Sequence, residues 1–217
     1  MGFDTLYVQR FDAEERQRKD RLWSVLCEHF FQRYIGPEDT VLDVGAGFCE
    51  FINHIRCRRK LALDLGEDTH RHAAQGVLVL TARASAMPQL SDGSVDVVFA
   101  SNFFEHLPDK EELVATLREI RRVLRPGGRL LILQPNIRYL DGRYWDFLDH
   151  QLPLTDRSLV EALTLVGLTP TEVRPRFLPF TTKSPLPQWP WLVRLYLRLR
   201  PAHWLLGKQA WIVAARP

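Results

Sequence analysis

One stretch constrains this chain more than any other: Val41-Leu42-Asp43-Val44-Gly45-Ala46-Gly47-Phe48-Cys49-Glu50, an apolar run that ends in an acid and opens into a glycine-containing turn. An apolar run bounded by turn residues predicts a buried parallel strand, and the glycines let the backbone bend tightly and approach a ligand. A second apolar run, Leu61-Ala62-Leu63, closes on Asp64, 21 residues after Asp43. That spacing fits a βαβ unit, in which the second acid lies beside the first loop and can accept from both hydroxyls of a ribose. The third glycine of a dinucleotide loop is missing, since Cys49 and Glu50 stand where it would fall. An adenosine cofactor without a pyrophosphate therefore fits better than a dinucleotide.

The alternation continues. Residues 12–34 predict an amphipathic covering helix, stopped by Gly36-Pro37. Strands are expected at 40–44, 60–64, 77–81, 95–100 and 129–133, with helices at 50–56, 68–75 and 110–124. Arg125-Pro126-Gly127-Gly128 is expected to end the last of these helices. Strands alternating with helices through short links imply a doubly wound α/β sheet, with ligands outside the carboxyl ends of its strands. With 217 residues, 46% of them apolar, the chain is expected to be a single domain over 1–217. It would comprise the covering helix, a cofactor-binding core at 40–133, a lid or acceptor segment at 134–155 and a basic amphipathic insertion at 177–209. No run reaches the roughly 18 apolar residues of a spanning helix, and Met1 to Arg10 lack the pattern of a signal peptide, so a cytoplasmic location is expected.

Taken together, Asp43 to Gly47, Asp64, Asp92-Gly93-Ser94-Val95-Asp96-Val97-Val98, Glu105-His106-Leu107 and Val123-Leu124-Arg125-Pro126-Gly127-Gly128 resemble the class I S-adenosylmethionine-dependent methyltransferases. Gln134 to Tyr139 and Tyr144 to His150 are more loosely similar to methyltransferases of bacterial surface-polysaccharide pathways. The resemblance implies a Rossmann-like, seven-stranded sheet, mostly parallel with an antiparallel last strand, for which residues 210–215 would serve. It also implies S-adenosyl-L-methionine as cofactor and S-adenosyl-L-homocysteine as product. Asp43, Gly45, Ala46 and Gly47 would follow the methionine portion, Asp64 the ribose, and Ser101, Asn102 and Glu105 the methyl-bearing end. The family's adenine-binding acid is replaced by Arg83, which only donates, so Ala84 or Ser85 would have to accept instead.

Methylation of a hydroxyl benefits from a general base, and His106 and His150 are the catalytic candidates. The bland alternatives are that His106 pins its loop and that His150 belongs to a packed lid. Asn136, Tyr139, Tyr144 and Trp145 are candidate substrate-binding residues, because aromatic faces suit a sugar ring. No metal site is expected: His70 and His72, close neighbours in sequence, do not converge on a helix. The odd count of cysteines, Cys27, Cys49 and Cys57, argues for packed thiols.

From Val173 onward there is no acid, while Arg174, Arg176, Lys183, Arg194, Arg198, Arg200, Lys208 and Arg216 supply eight cations; the net charge is +3, so the preceding residues carry −5 (3 minus 8). Two pictures stand for residues 189–208: an interfacial helix on anionic membrane, or a segment packed over the active site or a second copy in a homodimer. No nucleic-acid motif accompanies the basic tail, so no nucleic-acid partner is expected. The function reading is O-methylation of a small-molecule or glycan acceptor. The rivals are a non-catalytic S-adenosylmethionine-binding module and an NAD-dependent oxidoreductase.

Overall fold

The computed structural model describes residues 12–180 and 188–217. Met1 to Arg10 and Lys183, which figured in the sequence reading, lie outside them. A seven-stranded sheet organises the chain, in the order β3-β2-β1-β4-β5-β7-β6. Its strands are β1 (Thr40–Val44), β2 (Arg59–Leu63), β3 (Val77–Leu80), β4 (Val95–Ser101), β5 (Leu124–Pro135), β6 (Thr169–Arg174) and β7 (Gln209–Ala215). β3 through β5 run parallel, and β7 is antiparallel to both of its neighbours.

Among the described residues the α-helices are α1 (Ala13–His29), α2 (Glu50–His54), α3 (Glu67–His72), α4 (Lys110–Val123), α5 (Asp156–Leu165), α6 (Pro190–Arg198) and α7 (Arg200–Leu206). Side chains alternate across a strand, so each central strand feeds two cores. Leu42, Val44, Leu61, Leu63, Val98, Ala100, Leu130 and Ile132 pack on the face covered by α4 and α5. Val41, Ala62, Val97, Phe99, Leu131 and Leu133 face α1, where Trp23, Phe30, Phe31, Phe51 and Trp211 complete an aromatic layer. Burial on both faces explains why these strands read as continuous apolar runs.

α1 begins at a capping box: Asp12 accepts from the Glu15 amide at 2.8 Å while Glu15 accepts from the Asp12 amide at 3.2 Å. It ends at His29 and a 3-10 turn carries the chain through Phe31–Tyr34. One expectation needs correction. Arg125 to Gly128 are not a turn after α4, because the helix stops at Val123 and β5 already begins at Leu124. The register against β4 shifts between Val95 and Val97, so Pro126-Gly127-Gly128 form an irregularity within the strand. Gly127 adopts φ +74°, and a Cβ on Gly128 would lie 2.8 Å from the Arg125 carbonyl. The sequence demands these glycines, but for a kinked strand entry.

Among the described residues, the basic insertion carries two short helices. α6 packs on α1, with Val193, Tyr196 and Leu197 against the aromatic layer. Among the described residues, no helix is long and apolar enough to cross a membrane.

Candidate active site

The loops at the carboxyl ends of β1, β2, β3, β4 and β5 surround a cavity of about 840 Å³. That size falls within the roughly 300–1,000 Å³ of small-molecule sites. One end is built by the β1 loop. The amides of Gly45 and Ala46 donate to the Leu63 carbonyl at 2.9 and 3.2 Å, which fastens the loop to β2. Gly45 takes φ +68° and has Phe103 so close that a Cβ would sit 2.3 Å from the ring. Its lack of a side chain makes room for Phe103, itself a wall of the cavity.

Asp64 is oriented by two amides: Gly47 donates to Oδ2 and Gly66 to Oδ1, each at 2.8 Å. Each carboxylate oxygen has the capacity to accept a second bond, so the pair suits a vicinal diol. Asp43 is buried at the floor of the same loop. Burial, then the neighbouring Glu50 and Asp64 charges, push its carboxyl well above the usual carboxylate range. Lys19 on α1 offsets Glu50 at 2.8 Å. Such a concentration of acids fits a cofactor carrying a sulfonium and an ammonium group, since opposite charge relieves the cost of buried carboxylates.

Cys49, at φ +62°, seals the loop from below, its Sγ 3.6 Å from the Thr69 carbonyl. Burial and then Asp43 push its thiol up to about 12. It stays protonated at neutral pH, as a packed thiol should, and is a poor nucleophile.

At the β3 end, Arg83 and Ala84 line the cavity, and Glu112 of α4 faces them. The Ser85 hydroxyl donates to Glu112 Oε1 at 2.7 Å instead of facing the cavity. Sequence reasoning missed Glu112, which comes from another element and carries no local signal.

The other end holds Ser101, Asn102, Glu105, His106, Asp149 and His150. His106 and His150 stand edge to face with ring centroids 5.2 Å apart. His106 Nδ1 lies 3.0 Å from the Asp149 carbonyl and 3.4 Å from its Oδ2, while His150 Nδ1 lies 2.9 Å from the Tyr144 carbonyl. A carbonyl can only accept, so both rings carry their proton on Nδ1 and their lone pair on Nε2 when neutral. Asp149 therefore orients His106. Glu105 is buried, and Gln134 donates to its Oε2 at 2.9 Å. Burial raises its carboxyl above the usual range, with His106 opposing.

The four substrate candidates do not line the cavity. Asn136 is buried and donates to Asp156 at 2.8 Å and to the Pro175 carbonyl at 3.0 Å. Tyr144 is buried, its hydroxyl donating to Leu152 at 2.6 Å. Tyr139 lies beneath the guanidinium groups of Arg138 and Arg176, and Trp145 projects outward, 61% exposed. Phe147 and Phe180 supply the aromatic wall in their place, joined by Leu178, Leu192, Tyr196 and Leu199. His70 and His72 are exposed on α3 and bond to Thr81 and the Asp68 carbonyl.

Residues 42–132 match the family described as the methyltransferase domain. The chain is 35% identical over 115 residues to the sarcosine/dimethylglycine N-methyltransferase of Halorhodospira halochloris, covering 48% of this chain and 40% of that protein. It is 37% identical over 109 residues to the malonyl-[acyl-carrier protein] O-methyltransferase of Methylococcus capsulatus, covering 45% and 38%. It thus spans about two fifths of the length of these curated relatives. A SAM-dependent methyltransferase from Archaeoglobus fulgidus superposes with a TM-score of 0.66 at 19% identity, over 90% of this chain and 94% of that one. These likenesses agree with the sheet order: residues 42–132 form a methyltransferase domain, in a fold shared with solved S-adenosylmethionine-dependent methyltransferases.

Proposed function

We propose that this protein moves a methyl group from S-adenosylmethionine to a hydroxyl oxygen on a small, glycan-like or lipid-linked acceptor. The observation that carries the reading is that two oriented imidazoles line the same cavity as the paired acids Asp43 and Asp64. When bound, S-adenosylmethionine supplies an electrophilic methyl carbon whose transfer leaves the former C–S electron pair on a neutral thioether sulfur. Asp64 holds the ribose hydroxyls and Asp43 the positive methionine end. Glu112, in place of the family's acid at Arg83, accepts from the adenine amino group.

His150 or His106 takes the acceptor proton at Nε2, with Tyr144 and Asp149 holding the rings in that tautomer. Phe147, Phe180 and the loop at 149–151 exclude water from the transfer. The acceptor enters past α6 and α7. Leu195, Leu199 and Leu206 both line the cavity and face solvent, beside exposed Trp191 and Trp204. Arg194, Arg198 and Arg200 accompany them on acid-free helices. An exposed apolar patch with cations suits an anionic membrane interface, and a second copy of the chain is the competing occupant.

The test is transfer of labelled methyl from S-adenosylmethionine into fractionated cell extract. Label in an amphiphilic or glycan fraction, as a methyl ether, supports the reading. Saturable cofactor binding without transfer to any fraction would favour a non-catalytic binding module.

A further inference from the structure

We infer that Glu105, His106 and His150 form a divalent-cation site of the two-histidine, one-carboxylate kind at the methyl-receiving end of the cavity. Each offers one ligand atom, and these atoms all lie within 4.8 Å of one another. Ligands to one such ion sit roughly 2.0–2.2 Å from it, so side-chain rotations moving each atom by about an ångström or less bring the three into contact with a common ion.

The support around the three residues is what a metal centre requires. An imidazole ligand presents one nitrogen to the ion and fixes the other on a carbonyl or carboxylate. His150 meets this through the Tyr144 carbonyl at 2.9 Å. His106 meets it through the Asp149 carbonyl at 3.0 Å and carboxylate at 3.4 Å. Gln134 holds the Glu105 carboxylate at 2.9 Å, and the Glu105 carbonyl accepts from the amides of Gln151 and Leu152 at 2.8 and 3.0 Å. Those last two bonds tie the Glu105-His106 turn to the segment carrying His150. Glu105 and Asp149 also bring two buried carboxylates to the same spot, a charge that a dication balances.

Two imidazoles and one carboxylate favour zinc, iron(II) or manganese over magnesium or calcium. Three protein ligands leave coordination positions open to the cavity, where an acceptor hydroxyl can bind. Bound there, the hydroxyl loses its proton more readily and releases it to water in the cavity. Its oxygen lone pair then forms the bond to the methyl carbon as the C–S bond breaks, the pair staying on sulfur. With the ion in place, the imidazoles serve as ligands instead of bases. This role rests on the cavity being the methyl-transfer site; ion binding itself does not.

The test is equilibrium dialysis of the chelator-stripped full chain against Zn²⁺ and Mn²⁺, with metal analysis, alongside the visible spectrum with Co²⁺. We expect one ion per chain. Glu105→Gln, His106→Ala and His150→Ala should each weaken binding by about tenfold or more, whereas His29→Ala should leave it unchanged. His150→Gln stands in should His150→Ala fail to fold, as judged by circular dichroism. No stoichiometric binding to the wild type, or binding unmoved by all three substitutions, overturns the site. Calorimetry with S-adenosylmethionine on the same samples separates the two readings. Ion binding without cofactor binding supports the metal site while removing the methyltransferase reading, and the reverse removes only the metal site.

Discussion

His106 and His150 face each other across 5.2 Å, each with Nδ1 committed to a backbone carbonyl of the 144–149 segment. Their arrangement makes the end of the cavity a place for proton or cation chemistry, and it leads to the first prediction. His150→Ala should lower kcat by about 10²–10⁴, the usual contribution of a positioned acid–base group, with the dissociation constant of S-adenosylmethionine unchanged within about threefold. Single-turnover kinetics and calorimetry measure the two separately. Equal losses in both would mean that His150 serves only to hold the lid.

Asp43 gives a pH dependence. Its carboxyl titrates above the usual range because of burial and the nearby Glu50 and Asp64, so the folded chain keeps this proton to a higher pH than the unfolded chain does. The stability it contributes is full below the unfolded value and declines as pH rises through the folded one. Asp43→Asn should therefore remove that decline and raise the Tm of the cofactor-free protein at pH 7. A gain of about 1 kcal/mol corresponds to roughly 2–4 °C for a chain of this size. Cofactor affinity should rise with pH over the same window in the wild type and stay flat in the variant. Thermal melts and calorimetry across pH 4–8 decide this.

Gly45→Ala should fail for two reasons at once: the backbone sits at φ +68° and the added Cβ would meet Phe103 at 2.3 Å. The left-handed backbone alone costs about 1–3 kcal/mol, so thermal melting should fall by several degrees and the cofactor should bind more weakly. Phe103→Leu in the same chain should recover part of the stability. A double variant no better than the single one would show that the clash is not the cause.

Much of this architecture was legible because physical necessity wrote it into the sequence. Strands buried on both faces must be apolar throughout, and the loop after β1 must turn sharply at Gly45, so the core and the acids Asp43 and Asp64 stood out. At the acceptor end the residues Glu105, His106 and His150 were named but their meeting was not, since that end is assembled across the fold. Glu105 and His106 lie after β4, while His150 arrives from a segment beyond β5 whose aromatics belong partly to the core. Tyr144 has the composition of a sugar platform, yet its ring is consumed by packing and its carbonyl is what matters. Glu112 was invisible for a related reason: an acid in the first turn of a helix reads as ordinary dipole compensation, and only tertiary structure turns it toward Ser85 and the cavity.

That placement makes Glu112 testable. Glu112→Gln should weaken S-adenosylmethionine binding by about tenfold, the order of one charge-assisted hydrogen bond, and Arg83→Ala should matter less. Calorimetry with S-adenosylhomocysteine compares the two directly, and the opposite ranking would return adenine recognition to the β3 loop.

The exposed tryptophans and arginines of α6 and α7 predict vesicle binding. Neutralising Arg194, Arg198 and Arg200 together to Gln should weaken association with anionic vesicles by about 100-fold, at about 1 kcal/mol per cation. Neutral vesicles should bind poorly throughout. Binding unaffected by the substitutions would defeat the electrostatic account, and a dimer by light scattering that buries Trp191 and Trp204 would assign the face to a second copy.

The central claim is that one cavity holds the cofactor at Asp64 and delivers its methyl group toward His106 and His150. A crystal structure of the complex with S-adenosylhomocysteine measures this most directly. The account predicts both ribose hydroxyls within hydrogen-bond reach of Asp64 and the sulfur turned toward the two imidazoles. A ribose placed away from Asp64, or a sulfur facing bulk solvent with the histidines behind it, would contradict it.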